Sequence, residues 1–122
     1  MQQAPRKKLG LKSAATTVES PFQGAEFDLL RLAIDRRLCM TATYNRQSIL
    51  FAPHILYTRH DDPFVDGVVM QREGKAPVEL KLGTFKLAGL NGLTLTPEAF
   101  QRFEAFDSAD AKYEGVTLAI VS

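Results

Sequence analysis

The sequence predicts a small, mainly β domain with a helix before its strands and a second, short helix near its end. Two observations lead to this fold class. Short segments of alternating apolar and polar residues follow one another from residue 39 to residue 95, separated by turn-forming residues. Apolar residues at helical spacing precede them, between residues 26 and 38. The connections between strands are too short for crossover helices, so we expect one strongly curved antiparallel sheet that closes as a small barrel.

The predicted N-terminal helix begins near Ala25. Its apolar side chains recur every three or four residues and therefore share one face. That face consists of Phe27, Leu30, Ala33, Ile34 and Leu38. We expect this helix to bury its apolar face against the sheet.

Four strands are predicted between Cys39 and Gln71. In the first strand Met40, Ala42 and Tyr44 point to one side, as the two-residue period of a strand requires. Proline lacks the N–H that a ladder needs, so we expect Pro53 to end or bend the second strand before a third begins. The strands are assigned to 39–44, 48–51, 55–60 and 64–71, and turns are expected at 45–47, 60–63 and 72–75.

The segment 78–82 alternates apolar with charged side chains, which predicts a half-buried strand. Gly83 breaks the alternation, and Phe85 and Leu87 resume it, so Gly83 is a predicted β-bulge. Asn91-Gly92 is the strongest hairpin signal in the chain.

Thr96-Pro97-Glu98 predicts the start of the short C-terminal helix, with a cap, a proline at the first helical position and an acidic first turn. A last strand is predicted at 116–121. The residues expected to be mostly buried are Phe27, Leu30, Ile34, Tyr44, Phe51, Leu80, Leu82 and Phe85.

Length and composition are typical of one globular domain. The chain has 122 residues, of which 45% are hydrophobic and 24% charged. No apolar stretch approaches the ~18 residues that span a bilayer, and we expect no membrane partner. The first 20 residues lack the apolar core of a secretory signal. Cys39 is the only cysteine, so no disulfide forms within the chain, and we expect a cytoplasmic protein.

The charges are distributed unevenly. Residues 1–19 contain four basic residues and one acidic residue, so 4 − 1 = +3, whereas the remaining residues contain 11 basic and 13 acidic groups, or −2. We therefore expect a flexible basic tail at 1–19 and a single domain at 20–122 that is not a generally basic nucleic-acid binder. The tail is either an arm that touches phosphates or a solvated segment without specific contacts; the second is favoured because the tail lacks aromatic residues.

Basic residues are the strongest candidates for ligand contacts, because guanidinium and ammonium groups bind phosphate oxygens. An aromatic ring, from Phe64 or Tyr57, offers a surface on which a base can stack. If a bulge at Gly83 shifts the register, the side chains of Lys81 and Lys86 lie on the same face of the strand. The alternative is a solvated polar surface around core aromatics. The predicted ligand-binding residues are Arg37, Arg59, Phe64, Lys81 and Lys86.

Neither a metal site nor a catalytic site has positive support in the sequence. His54, His60, Asp61 and Asp62 have no recognised metal-ligand spacing, and the Asp-Asp-Pro sequence is ordinary turn chemistry. No cysteine-enzyme signature surrounds Cys39, which is expected to be a small buried residue. We therefore expect a protein without a cofactor that is not an enzyme.

Several short motifs follow one another in a fixed order over roughly residues 26–100: Ala33-Ile34, Tyr44, Pro53, Leu56 and Phe85-Lys86-Leu87-Ala88-Gly89-Leu90. This order resembles the WYL-domain family. In that family a helix with an Ala-Ile pair precedes a strand ending in Tyr. A Pro followed shortly by Leu comes next, then a Trp-Tyr-Leu strand, and later a Phe-Arg-Leu-Asp-Arg-Ile strand.

Two positions depart from the family pattern. Pro63-Phe64-Val65 stands where the family has Trp-Tyr-Leu, and Gly89 stands where it has a second arginine. The resemblance implies an Sm-like, SH3-type barrel that senses a ligand, often a nucleotide or nucleic acid, in bacterial transcription regulators. The expected function is therefore a ligand-sensing or regulatory module for a nucleotide or a short single-stranded nucleic acid. The alternative is a protein-interaction or homodimerisation module without a small ligand.

Overall fold

The computed structural model describes residues 24–122. The tail predicted at 1–19 lies outside these residues. The described part contains one α-helix and six strands, with short 3-10 turns at Leu87–Gly89 and Ala111–Tyr113. These elements are α1 (Ala25–Arg36), β1 (Leu38–Tyr44), β2 (Gln47–Arg59), β3 (Asp62–Arg72), β4 (Leu82–Lys86), β5 (Asn91–Ala99) and β6 (Thr117–Ile120).

The six strands form one antiparallel sheet with the order β4-β3-β2-β1-β5, and β6 pairs with β2. The mainly β fold class and the antiparallel pairing are therefore confirmed. Within residues 24–122 the two end strands, β4 and β5, do not pair with each other. The sheet is thus not closed, and the predicted barrel is not confirmed.

Three two-residue turns reverse the chain: the first joins β1 to β2, the second joins β2 to β3, and the third follows β3 and returns to an isolated bridge at Lys75. Asn45-Arg46, His60-Asp61 and Glu73-Gly74 connect register partners, and all six residues have positive φ. Positive φ at both central residues is the requirement of the type I′ turn, whose twist matches that of the flanking strands. The turns lie where the sequence predicted them.

β2 is the central strand of the sheet. It pairs with β3 over nearly its whole length, while its other edge pairs first with β1 and then with β6. Of the two expectations for Pro53, that it ends a strand is wrong, since β2 continues through it to Arg59, whereas a local bend fits the register shift that follows it. A β-bulge follows Pro53 in the pairing of β2 with β3. Pro53 lies opposite Gly67 and Ile55 lies opposite Asp66, so His54 is the extra residue.

The helix α1 buries the face that its spacing predicted. Phe27, Leu30, Ala33 and Ile34 are buried, and the helix packs on strands β1, β2, β5 and β6. Arg37 ends it in a left-handed conformation, with its N–H donating to the last carbonyl groups of the helix.

The prediction of a half-buried strand at 78–82 is wrong. Residues 76–81 are irregular and exposed, and the side chain of Leu80, expected to be buried, is 43% exposed. The predicted bulge at Gly83 is also absent, since the β3–β4 register runs without a shift from Leu82 to Lys86. Tyr44 and Leu82 are only partly buried. The other residues expected in the core are buried as predicted: Phe27, Leu30, Ile34, Phe51 and Phe85.

Two predictions for the region after β4 are also wrong. Asn91-Gly92 makes no hairpin turn but begins β5, where one extra residue between Asn91 and Thr94 shifts the register against β1. The helix predicted from Thr96 is replaced by the end of β5. The Thr96 hydroxyl donates to the carbonyl of Cys39 at 2.7 Å, which ties this segment to β1. Pro97 is tolerated because β5 is an end strand with a second register shift there.

Gly67 and Gly83 lie opposite each other on β3 and β4, but only Gly67 is sterically constrained. A Cβ at Gly67 would lie 2.6 Å from the carbonyl oxygen of Ala52, whereas a Cβ at Gly83 would meet its nearest atom at 3.8 Å. We predict that Gly67→Ala lowers the free energy of unfolding by about 1–3 kcal/mol through overpacking. Urea unfolding measures this change.

The matched control is Gly83→Ala, which should change the free energy of unfolding by less than about 1 kcal/mol. Equal losses in the two variants would contradict the close approach of β3 to β2 at the bulge.

Candidate functional site

A buried carboxylate is the centre of the polar part of the structure. The side chain of Asp66 on β3 is fully buried. It accepts three donors: the Tyr57 hydroxyl at 2.7 Å, the Tyr113 hydroxyl at 2.5 Å and the Lys112 Nζ at 2.8 Å. Both of its oxygens therefore have partners, as a buried charge requires.

The strand register places this cluster. Ile55, Asp66 and Thr84 are successive partners across β2, β3 and β4, so their side chains lie on one face of the sheet. The 3-10 turn Ala111–Tyr113 brings Lys112 and Tyr113 onto that face from the C-terminal region. The Asp110 carboxylate caps this turn by accepting the N–H of Lys112 at 3.0 Å.

The two tyrosine hydroxyls are held in their protonated form. Burial, followed by the hydrogen bond to the Asp66 carboxylate, raises the pKa of Tyr57 and the pKa of Tyr113. Protonated hydroxyls donate to the carboxylate and do not act as bases. Lys112 also donates to the Thr84 hydroxyl at 3.1 Å. The cluster is therefore a fixed polar connection between the sheet and the C-terminal region.

Three predicted ligand residues lie together beside this cluster, and we call them the Phe64 patch: Arg59, Phe64 and Lys86. Tyr57, Phe64 and Lys86 are register partners on the face that also carries Asp66. The rings of Tyr57 and Phe64 are stacked with centroids 6.0 Å apart, and the Arg59 guanidinium lies 5.8 Å from the Phe64 centroid. Lys86 Nζ is 3.7 Å from a carboxylate oxygen of Asp62.

The other two predicted ligand residues lie elsewhere. Arg37 is exposed at the end of α1. Lys81 precedes β4 and lines a shallow cleft together with Tyr44, Arg72 and Glu79. Since the bulge at Gly83 is absent, nothing brings Lys81 onto the face of Lys86.

His54 is buried and connects the sheet to the segment after β5. Its Nε2 accepts the N–H of Phe103 at 2.8 Å, so its Nδ1 carries the proton and donates to the carbonyl of Ala52 at 2.9 Å. The ring packs against Phe100 and Phe106 at centroid distances of 5.0 and 5.4 Å. Burial is the main cause of the lowered pKa of His54.

The remaining residues considered for chemistry are dispersed. Burial raises the pKa of the Cys39 thiol to about 11, so it is not a reactive thiolate at neutral pH. His60, Asp61 and Asp62 lie in or beside an exposed turn, away from the buried His54. In the part of the chain described here, no three His, Cys, Asp or Glu side chains are grouped to hold a metal ion.

Sequence reasoning missed the Asp66 cluster. One signal was available, because Asp66 is a charged residue within the apolar run of a predicted strand, and such a residue needs a partner. Nothing in the sequence indicated that Tyr57, Lys112 and Tyr113 are the partners of Asp66. Tyr113 is 47 positions away from Asp66, in a region without a recognisable motif.

Comparisons with known proteins gave no match: no family model fits the chain, and no curated protein or solved structure is significantly similar to it. None of the helices described in residues 24–122 is long and apolar enough to cross a membrane.

The Asp66 carboxylate should be required for stability. Asp66→Asn removes the charge beside Lys112 and presents an amide donor to groups that are themselves donors. We predict a loss of about 3 kcal/mol in the free energy of unfolding, as for other broken buried ion pairs. Urea unfolding monitored by circular dichroism measures it.

Asp62→Asn is the matched control, since Asp62 forms an exposed ion pair with Lys86. Exposed pairs contribute at most about 1 kcal/mol, so this variant should be nearly as stable as the wild type. If both variants lose the same stability, the buried cluster does not have the role described here.

The neutral form of His54 should make stability depend on pH. The folded-state pKa lies below the ordinary value of 6.5, so the unfolded chain binds a proton more readily than the folded protein. The contribution of the neutral ring is complete above pH 6.5 and is lost as the pH falls below that value. The free energy of unfolding should decrease by up to about 1.4 kcal/mol per pH unit until the folded-state pKa is reached.

Urea unfolding between pH 7 and about pH 5 checks this dependence. His54→Gln should flatten it, whereas His60→Gln, in an exposed turn, should leave it unchanged. A wild-type stability that does not change over this range would contradict the prediction.

Proposed function

We propose that this chain is a ligand-sensing or regulatory module that binds a nucleotide or a short single-stranded nucleic acid at the Phe64 patch. The supporting observation is that an aromatic ring and two cations, predicted separately from the sequence, lie together on adjacent strands. Phe64 is half-buried, whereas Arg59 and Lys86 are exposed. A base stacks on the ring when the exposed Arg59 guanidinium, which lies over it, moves aside, and the two cations then contact phosphate.

The Phe64 ring is held in place by its neighbours before any ligand binds. Phe64 packs against Tyr57 on the neighbouring strand, and the Tyr57 hydroxyl donates to the buried Asp66, so the Phe64 ring lies beside a fixed side chain. A binding surface that is already ordered loses little conformational entropy when the ligand binds. This arrangement therefore favours recognition of a planar base at Phe64.

Lys86 is available for a phosphate despite its ion pair. The side chains of Lys86 and Asp62 are 54% and 55% exposed, and their nitrogen and oxygen atoms are 3.7 Å apart. Exposed pairs of this kind contribute at most about 1 kcal/mol. A ligand phosphate can therefore replace Asp62 at small cost.

The resemblance to a WYL domain is part of the same proposal. As in that family, the helix precedes the strands. The end strands β4 and β5 are joined by the short turn Leu87–Gly89, and pairing between these two strands would close the sheet into a barrel. The glycine at the family's second arginine position has a local cause. A Cβ at Gly89 would lie 2.9 Å from the Tyr44 ring, which occupies that space. Since Gly89 offers no cation, the proposal places the anion contacts at the Phe64 patch.

The charge of the patch limits the electrostatic part of binding. Arg59 and Lys86 contribute +2, and the neighbouring Asp61 and Asp62 contribute −2. With two cations the protein makes about two phosphate contacts, so the logarithm of the association constant should fall with the logarithm of salt concentration with a slope near −1.4.

We predict that Lys86→Glu weakens binding of a short fluorescent oligothymidylate by at least about tenfold, because it places a negative charge beside the phosphate. Phe64→Leu keeps apolar cover over Tyr57 but removes the stacking surface, and should cost about 1–3 kcal/mol of binding free energy. Fluorescence anisotropy at several salt concentrations measures both effects.

Arg37→Glu is the control, since it reverses an exposed cation between α1 and β1, two strands away from Phe64 on β3. It should change affinity less than about twofold, because screening by salt weakens charges beyond ~10 Å. Equal effects of Arg37→Glu and Lys86→Glu, or salt-independent binding, would contradict a site at Phe64. Failure to bind any nucleotide would refute the proposed function.

A further inference from the structure

The segment 78–82 has the residue pattern of a strand, but only its last residue, Leu82, pairs with another strand of the described structure. Val78, Leu80 and Leu82 alternate with Glu79 and Lys81, which is the pattern of a half-buried strand. Val78 is completely exposed and Leu80 is 43% exposed. Apolar side chains in such a pattern normally pack against another surface, and this surface is not supplied by residues 24–122 of the same chain.

The segment leads directly into an open sheet edge. Leu82 is the first residue of β4, which is the end strand of the sheet and pairs with β3 on one side only. The outer edge of β4 faces no other described strand, so its backbone groups are free to pair with another chain. A strand at 78–82 would extend β4 toward its N-terminal side. Pro77 would end this strand, because it has no N–H to donate.

The charges in the segment are complementary to those of a second copy in one arrangement. In an antiparallel pair centred on Leu80, Glu79 faces the partner's Lys81, and Lys81 faces the partner's Glu79. Val78 then faces the partner's Leu82, and all apolar side chains lie on one face of the pair. A centre shifted by one residue would place Glu79 opposite itself or Lys81 opposite itself. A parallel, in-register pair would also oppose like charges.

We propose that two copies of this chain associate through antiparallel pairing of residues 78–82 about a two-fold axis at Leu80. The exposed members of the apolar row, Val78 and Leu80, pack against the partner's row in the dimer, and two Glu79–Lys81 pairs fix its register. The interface has the isologous form of two-fold dimers. Five paired residues on each side make a small interface, so the dimer is weak and depends on protein concentration.

Sedimentation equilibrium of the full chain from about 5 to 500 μM tests the proposal, since weak interfaces require a concentration series. The wild type should change from monomer to dimer within this range. Glu79→Lys and Lys81→Glu should each raise the dissociation constant by roughly tenfold, because each puts two like-charged pairs at the interface. The double variant, Glu79→Lys with Lys81→Glu, should restore dimerisation to within about threefold of the wild type.

Leu80→Ser tests the apolar row and should abolish dimerisation. Val116→Ser is its control, since Val116 is 55% exposed on another part of the surface, and this variant should dimerise as the wild type does. Circular dichroism checks that every variant is folded. A monomeric wild type at all concentrations, or unchanged dimerisation in Glu79→Lys, would overturn the proposal. Failure of the double variant to restore the dimer would overturn the antiparallel register.

Discussion

The burial of β2 on both faces is the constraint on which the rest of the structure depends. All eight residues from Phe51 to Thr58 are buried. Since successive side chains of a strand point to opposite faces, both faces of β2 must be covered. An antiparallel sheet commonly leaves one face to water, so additional parts of the chain are needed here. The helix α1 and the irregular segment after β5 provide this cover, whereas β6 lies in the sheet and pairs with one edge of β2.

Polar side chains determine where the covering segment lies. His54 accepts the N–H of Phe103, and Asp66 accepts the hydroxyl of Tyr113, so both fix residues that follow β5. Apolar burial alone is non-directional, whereas these hydrogen bonds have only one satisfactory geometry. The desolvation of a buried carboxylate offsets much of its attraction to Lys112. The Asp66 cluster therefore mainly positions the C-terminal segment on the sheet, and it also holds Tyr57 beside the Phe64 ring.

The sequence predicted those parts of the fold that depend on local chemistry. The spacing of apolar residues in α1 and the turn residues near Asn45, His60 and Gly74 are local signals, and the structure follows them. Predictions failed where the outcome depended on distant residues. Thr96 begins no helix because its hydroxyl bonds to Cys39, 57 positions earlier in the chain.

In the candidate site, too, local residue type was predictable from the sequence, whereas the contacts between distant residues were not. Arg59, Phe64 and Lys86 were selected by residue type, which sequence reveals, but their proximity follows from the β2–β3–β4 register. Lys81 was selected by the same criterion and lies elsewhere, because the register at Gly83 contains no bulge. Asp66 interrupts an apolar run, yet its partners in the 3-10 turn Ala111–Tyr113 depend on how the whole C-terminal region folds back. Residue type therefore indicates candidates, and only the strand register determines which of them lie together.

The two proposed interactions meet on β4. Lys86, at one end of this strand, belongs to the Phe64 patch, and Leu82, at the other end, belongs to the proposed dimer segment. Antiparallel partners that face each other share one side of the joined sheet, so a two-fold axis at Leu80 places both patches on the same side. Six residues of extended chain separate Leu80 from Lys86, about 20 Å at the rise of a strand, so the two lysines are roughly 40 Å apart. A mononucleotide can occupy only one patch, whereas a longer single strand can reach both and gain affinity from the second contact. Weak pairing at residues 78–82 and weak binding at each patch would then strengthen each other on a ligand of sufficient length.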